Sequence, residues 1–103
     1  MPVFQPASPY LQFYPSQTGM VRRIPLENLP FIIGRGSDSH FVVSSPQVSK
    51  QHAEISRVRN EFQIRDLNST NGTFVNGQRV SSHAVNPGDL LRIGATTFRV
   101  EGA

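Results

Sequence analysis

With 103 residues, no cysteine, and ten Lys and Arg against seven Asp and Glu for a net charge of +3, the chain suits one domain with a modest core and rules out disulfides and thiolate metal sites. No apolar run approaches the roughly 18 residues of a membrane span, and Met1 to Pro9 lacks the basic start and apolar block of a secretory leader. Nine of the ten cations are arginine, but they are scattered through apolar segments and the longest basic run is Arg22-Arg23, which argues for solvated sheet faces over nucleic-acid binding.

In chain order, residues 1–9 carry three prolines and little pattern and are read as a loose arm. Tyr10 to Tyr14 alternates and is expected to be a strand, followed by a polar turn through Ser16 to Gly19. Val21 to Leu26 reads as a second strand, held to an edge or a strand end by Pro25. After a turn at Glu27 to Pro30, Phe31-Ile32-Ile33 is a compact apolar strand. A loop of small and polar residues, Gly34 to Ser39, leads to a strand at Phe41 to Val43 and a second polar loop from Ser44 to Gln51. Ala53 and Ile55, then Phe62 and Ile64, alternate with polar residues and imply a hairpin across Arg59-Asn60-Glu61.

Asp66 to Gly77 contains two Asn-Gly steps, Asn71-Gly72 and Asn76-Gly77, each a strong turn signal because both residues reach positive φ cheaply. Thr73 to Val75 between them has room for only a very short strand. The first step is either a hairpin that turns the chain or, with Asn68, Ser69 and Thr70 in front of it, a rim of small donors. A short strand near Gln78 to Val80, a loop, a turn at Asn86 to Asp89, a strand through Leu91 and Ile93, and a final strand from Thr96 to Glu101 complete the pattern. Apolar residues nowhere recur at helical spacing over three turns. Many short strands with Gly, Pro and Asn punctuation indicate an all-β, two-sheet sandwich.

A sandwich gathers its loops at two ends, and three loops here share a character: Arg35 to His40, Ser44 to Gln51 and Asn68 to Gly72. Converging, they offer one Arg, one Lys, hydroxyls and amides, a set that complements a phosphate. Gly34-Arg35, Ser49-x-x-His52 and Asn71-Gly72, in this order and at this separation, resemble the forkhead-associated (FHA) domain family. So do Pro46-x-Val48-Ser49, His52-Ala53-x-Ile55 and Gly88-Asp89-x-Leu91-x-Ile93-Gly94. The resemblance covers Val21 to Val100.

The resemblance implies an eleven-stranded sandwich of the FHA/SMAD type over residues 10–103, binding phosphothreonine in an extended peptide. Arg35 is then expected to hold the phosphate, Ser49 to donate its hydroxyl, Lys50 to add charge and Thr70 to make a further phosphate or methyl contact. Asn71 would hold the peptide backbone, and Gln47 would meet a side chain after the phosphothreonine. Gly34, His52 and Gly72 would be architectural. The family often has Asp or Asn where His40 stands, an acidic pair at Ser44-Ser45 and Arg at Lys50, so the loops are expected to differ in detail.

A lone His without Cys or a second His at ligand spacing supports no metal site. No carboxylate pair, nucleophile elbow, Ser/His/Asp pattern or Walker loop is present, so neither catalysis nor a cofactor is expected. The expected partner is a phosphothreonine-containing protein marked by an upstream Ser/Thr kinase, with no nucleic acid and no membrane. The expected location is the cytoplasm, or the nucleus in a eukaryotic source. The competing reading is a scaffold that binds partners or self-associates without phosphate. With the chain ending shortly after Val100, it is read as one module of a larger signalling protein.

Overall fold

Short runs of β-branched and aromatic residues, cut by turn formers, become eleven strands in the computed structural model, which describes residues 9–13, 21–27, 29–59 and 61–102. They are β1 (Tyr10–Phe13), β2 (Arg22–Pro25), β3 (Phe31–Gly34), β4 (Phe41–Val42), β5 (Ala53–Val58), β6 (Glu61–Asp66), β7 (Thr73–Val75), β8 (Gln78–Val80), β9 (Ser82–Val85), β10 (Leu90–Ile93) and β11 (Thr96–Glu101). No helix occurs among the described residues. Of the arm expected over residues 1–9, residues 1–8 lie outside them, as does the turn expected at 16–19.

The strands form a six-stranded sheet in the order β2-β1-β11-β10-β7-β8 and a five-stranded sheet in the order β4-β3-β5-β6-β9. All pairings are antiparallel except β3 with β4. β2 stands at a sheet edge with Pro25 as its last residue, where a missing N–H costs no ladder bond. Alternation puts Leu91 and Ile93 of β10, Phe98 and Val100 of β11, and Ile55 and Ile64 of the facing sheet into one buried core. Phe13, Phe41 and Phe98 meet there with ring centroids 5.5–5.7 Å apart, Phe41 edge-on to both neighbours.

One segment departs from expectation. Residues 82–85, read as part of a loop, form β9, paired to β6 with Phe62 opposite Val85 and Ile64 opposite His83. Only Val85 of this strand is buried. Its Ser-His-Ala sequence therefore carries almost no alternation signal, and backbone pairing to β6 makes it a strand.

Turns at the two poles differ in kind. Asn76-Gly77, with φ of 50° and 86°, closes a two-residue hairpin between β7 and β8, placing Val75 opposite Gln78 and Phe74 opposite Arg79. Asn76 is clamped to the neighbouring turn: its Nδ2 donates to Asp89 (3.1 Å) and its Oδ1 accepts from Leu90 N–H (3.0 Å). Asn71-Gly72, in contrast, is no hairpin. It lies where the chain crosses from β6 in one sheet to β7 in the other.

Candidate functional site

The β3–β4, β4–β5 and β6–β7 loops meet at the other pole, joined by hydrogen bonds through backbone and side chains. Arg35 N–H donates to the carbonyl of Ser49 (2.9 Å) and Gly36 N–H to that of Lys50 (3.0 Å), stitching the first loop to the second. This approach demands a glycine at 34. A Cβ there would stand 2.1 Å from the Lys50 carbonyl oxygen, far inside contact distance. Ser39 Oγ also donates to the Lys50 carbonyl (3.2 Å). Lys50 thus contributes its carbonyl to the architecture, while its side chain is exposed.

Val48, almost wholly buried, pins the second loop to the sandwich, and its carbonyl accepts a hydrogen bond from Arg35 Nε (2.9 Å). With Nε engaged, the guanidinium plane is set while both Nη groups still carry protons to donate. Arg35 is exposed, and the two ion pairs among the described residues, Arg65 with Glu54 and Arg99 with Glu101, lie elsewhere. Arg35 makes no ion pair with the nearby Asp38 of its own loop among the described residues.

The second and third loops are joined four times, once by the Leu67 N–H donating to the carbonyl of His52 (2.9 Å). Thr70 N–H donates to Ser49 Oγ (3.2 Å). Asn71 Nδ2 donates to the carbonyl of Gln47 (2.9 Å). His52, fully buried, bridges the two: its Nδ1 accepts from Ser49 N–H (3.1 Å) and its Nε2 lies 2.8 Å from the carbonyl of Gly72. A ring nitrogen that accepts from an amide carries no proton, so the proton sits on Nε2 and is donated to Gly72. His52 is therefore a brace with both nitrogens occupied.

Beneath the third loop lies a network that the sequence reading did not single out. Asp66 Oδ1 accepts from Ser69 Oγ and from Thr73 Oγ1 (2.7 Å), Oδ2 accepts from Ser69 N–H (3.2 Å), and Ser69 Oγ accepts from Gly72 N–H (3.0 Å). Burial raises the Asp66 pKa, but hydrogen bonds from the two hydroxyls and the Ser69 amide outweigh it and hold the carboxyl below its ordinary value. Asp66-x-x-Ser69 is the local signal for such a self-bonded turn.

All nine residues singled out in the sequence thus lie within one bonded constellation: Gly34, Arg35, Gln47, Ser49, Lys50, His52, Thr70, Asn71 and Gly72. Asn71 is already committed on one side to Gln47, keeping its Oδ1 and one N–H for a ligand. His40, which carried no functional signal, accepts Ile32 N–H at Nδ1 (3.0 Å) and stacks on Phe31 at 5.5 Å.

A family model for the FHA domain matches residues 31–94, well over half of the chain. The chain belongs to the FHA domain family. It is 38% identical over 79 residues to the FHA domain-containing protein FhaB of Mycolicibacterium smegmatis, a match covering 76% of this chain and 51% of that protein. The chain thus spans about half the length of the curated relatives it matches. Among solved structures, an FHA domain from an analysis of phosphothreonine-dependent FHA domain interactions is 35% identical with a TM-score of 0.79, covering 91% of this chain and 95% of that one. Mycobacterium tuberculosis EmbR in complex with a low-affinity phosphopeptide is 33% identical with a TM-score of 0.85, covering 100% of this chain and 26% of that one.

Proposed function

We propose that this FHA domain binds phosphothreonine in an extended segment of a partner protein, through the pole at which Arg35, Ser49 and Asn71 meet. The observation that carries the reading is the pairing of a guanidinium fixed at Nε by the Val48 carbonyl with a hydroxyl that already accepts a backbone N–H. Because Ser49 Oγ accepts from Thr70, its own proton is available to an anion. A phosphate dianion needs a cation fork and several donors held in advance, and loops bonded to one another supply them at little ordering cost.

In this reading Arg35 takes the phosphate, Ser49 donates to it, Lys50 adds charge and Thr70 contacts the phosphate or the γ-methyl. Asn71 holds the peptide backbone and Gln47 meets a following side chain. Gly34, His52 and Gly72 shape the loops. A snug recess for the γ-methyl would favour threonine over serine by roughly 1–3 kcal/mol. The phosphothreonine-dependent interactions of one structural relative and the phosphopeptide complex of EmbR support the assignment. The module acts by binding, without catalysis, in signalling or assembly downstream of a Ser/Thr kinase, and the cytoplasm is its proposed location.

Calorimetric titration with a phosphothreonine peptide and its unphosphorylated twin tests the reading. Binding should require the phosphate and weaken on the order of 30-fold in Arg35→Ala, with the fold kept. Equal binding of the two peptides, unaffected by that substitution, would instead favour a phosphate-independent scaffold.

A further inference from the structure

Arg79 of β8 entered no part of the site as read from sequence. The β7–β8 hairpin pairs it with Phe74, so both side chains stand on the outer face of the six-stranded sheet. Gly72 lies two residues before Phe74 on β7, making it a diagonal neighbour that a long side chain reaches. The Arg79 side chain takes that direction. Its Nε, Cζ and Cδ lie 2.6, 3.0 and 3.1 Å from where a Cβ on Gly72 would stand.

Gly72 is thus gripped from both sides, its carbonyl by buried His52 and its Cα by an exposed guanidinium. Any side chain at 72 would displace the Arg79 head, and φ of +93° there favours glycine as well. Gly72, against which the guanidinium lies, follows Asn71 directly and Thr70 by two residues in the chain. Neither ion pair among the described residues involves Arg79. A second cation lies on the same face: Arg92, opposite Phe74 in register, sits over its ring at 4.1 Å.

We propose that Arg79 is a specificity-determining residue that selects phosphothreonine segments carrying a carboxylate side chain beside the phosphothreonine. The proposal rests on the phosphothreonine reading of the neighbouring loops. Its physical basis is separate: a planar fork, stationed at the rim by a glycine and unpaired with any acid among the described residues, matches a carboxylate in two-point geometry. Being exposed, the pair discriminates modestly and weakens with salt.

The test walks a single Asp, and in matched peptides a single Asn, through the positions flanking phosphothreonine in a neutral background, and titrates each into wild type, Arg79→Gln and Arg79→Lys. At one position wild type should favour Asp over Asn by about fivefold. That ratio should fall toward one in Arg79→Gln, survive in part in Arg79→Lys, and shrink as ionic strength rises. A ratio near one throughout in wild type, or an Asp preference that persists in Arg79→Gln, overturns the assignment of Arg79. Failure of wild type to bind any of the phosphopeptides overturns the phosphothreonine reading itself, and the proposal with it.

Discussion

His52 and Gly72 are joined by a 2.8 Å hydrogen bond across 20 residues of sequence, and that bond ties the serine loop to the asparagine loop. Its cost of removal follows from burial. In His52→Ala the Gly72 carbonyl and the Ser49 amide both lose their partner, and the ring leaves a void at a fully buried position. Destabilisation of about 2–3 kcal/mol is expected in urea unfolding, with weakened phosphopeptide binding because Ser49 and Asn71 lose their common brace.

Asp66 makes the stability of the β6–β7 loop pH-dependent. Its carboxyl is held below the ordinary value in the folded state, so the unfolded chain binds the proton more readily and stability rises with pH. The contribution is complete above the ordinary carboxylate range and is lost as pH falls below about 4. Asp66→Asn should therefore lower the melting temperature most at neutral pH. The gap to wild type should narrow in acid, as thermal melts across the range would record.

Gly34→Ala puts a methyl group 2.1 Å from the backbone oxygen of Lys50, where no flexible side chain can give way. The β3–β4 and β4–β5 loops must part to accept it. A loss of about 3 kcal/mol is expected in chemical denaturation, together with loss of phosphopeptide binding, since Arg35 and Ser49 flank the displaced contact.

Asn71→Ala removes the bond to the Gln47 carbonyl, a partly solvated contact. About 1 kcal/mol of stability should go with it. The larger effect should be on affinity, about tenfold in titration, because Gln47 loses its tether and, on the proposed reading, a ligand loses its backbone anchor.

Much of this was legible in the chain because local chemistry agrees with the final structure. Leu91 and Ile93 alternate as an inward face, and Asn76-Gly77 specifies both its hairpin and its register. β9 was not legible: Ser82, His83 and Ala84 present no apolar stripe, and pairing with β6 alone makes them a strand. The order of the loop motifs pointed to the residues that meet at this pole. Their actual connections run through backbone carbonyls at Val48, Lys50, Gln47 and Gly72, which any residue type can supply, so no sequence pattern announces them. Arg79 could have been found, since the Asn-Gly turn places it opposite Phe74 on the outer face. Its lean toward Gly72 needed coordinates.

The central claim is that three loops at one pole form a single anion socket. Backbone amide mapping by NMR during titration with a phosphothreonine peptide tests it most directly. Shift changes should concentrate in residues 34–36, 47–50 and 69–72, disappear with the unphosphorylated peptide, and spare the Asn76-Gly77 and Asn86 to Asp89 turns at the opposite pole. Saturable binding that moves those distant turns, and leaves Arg35, Ser49 and Asn71 unchanged, would contradict the account.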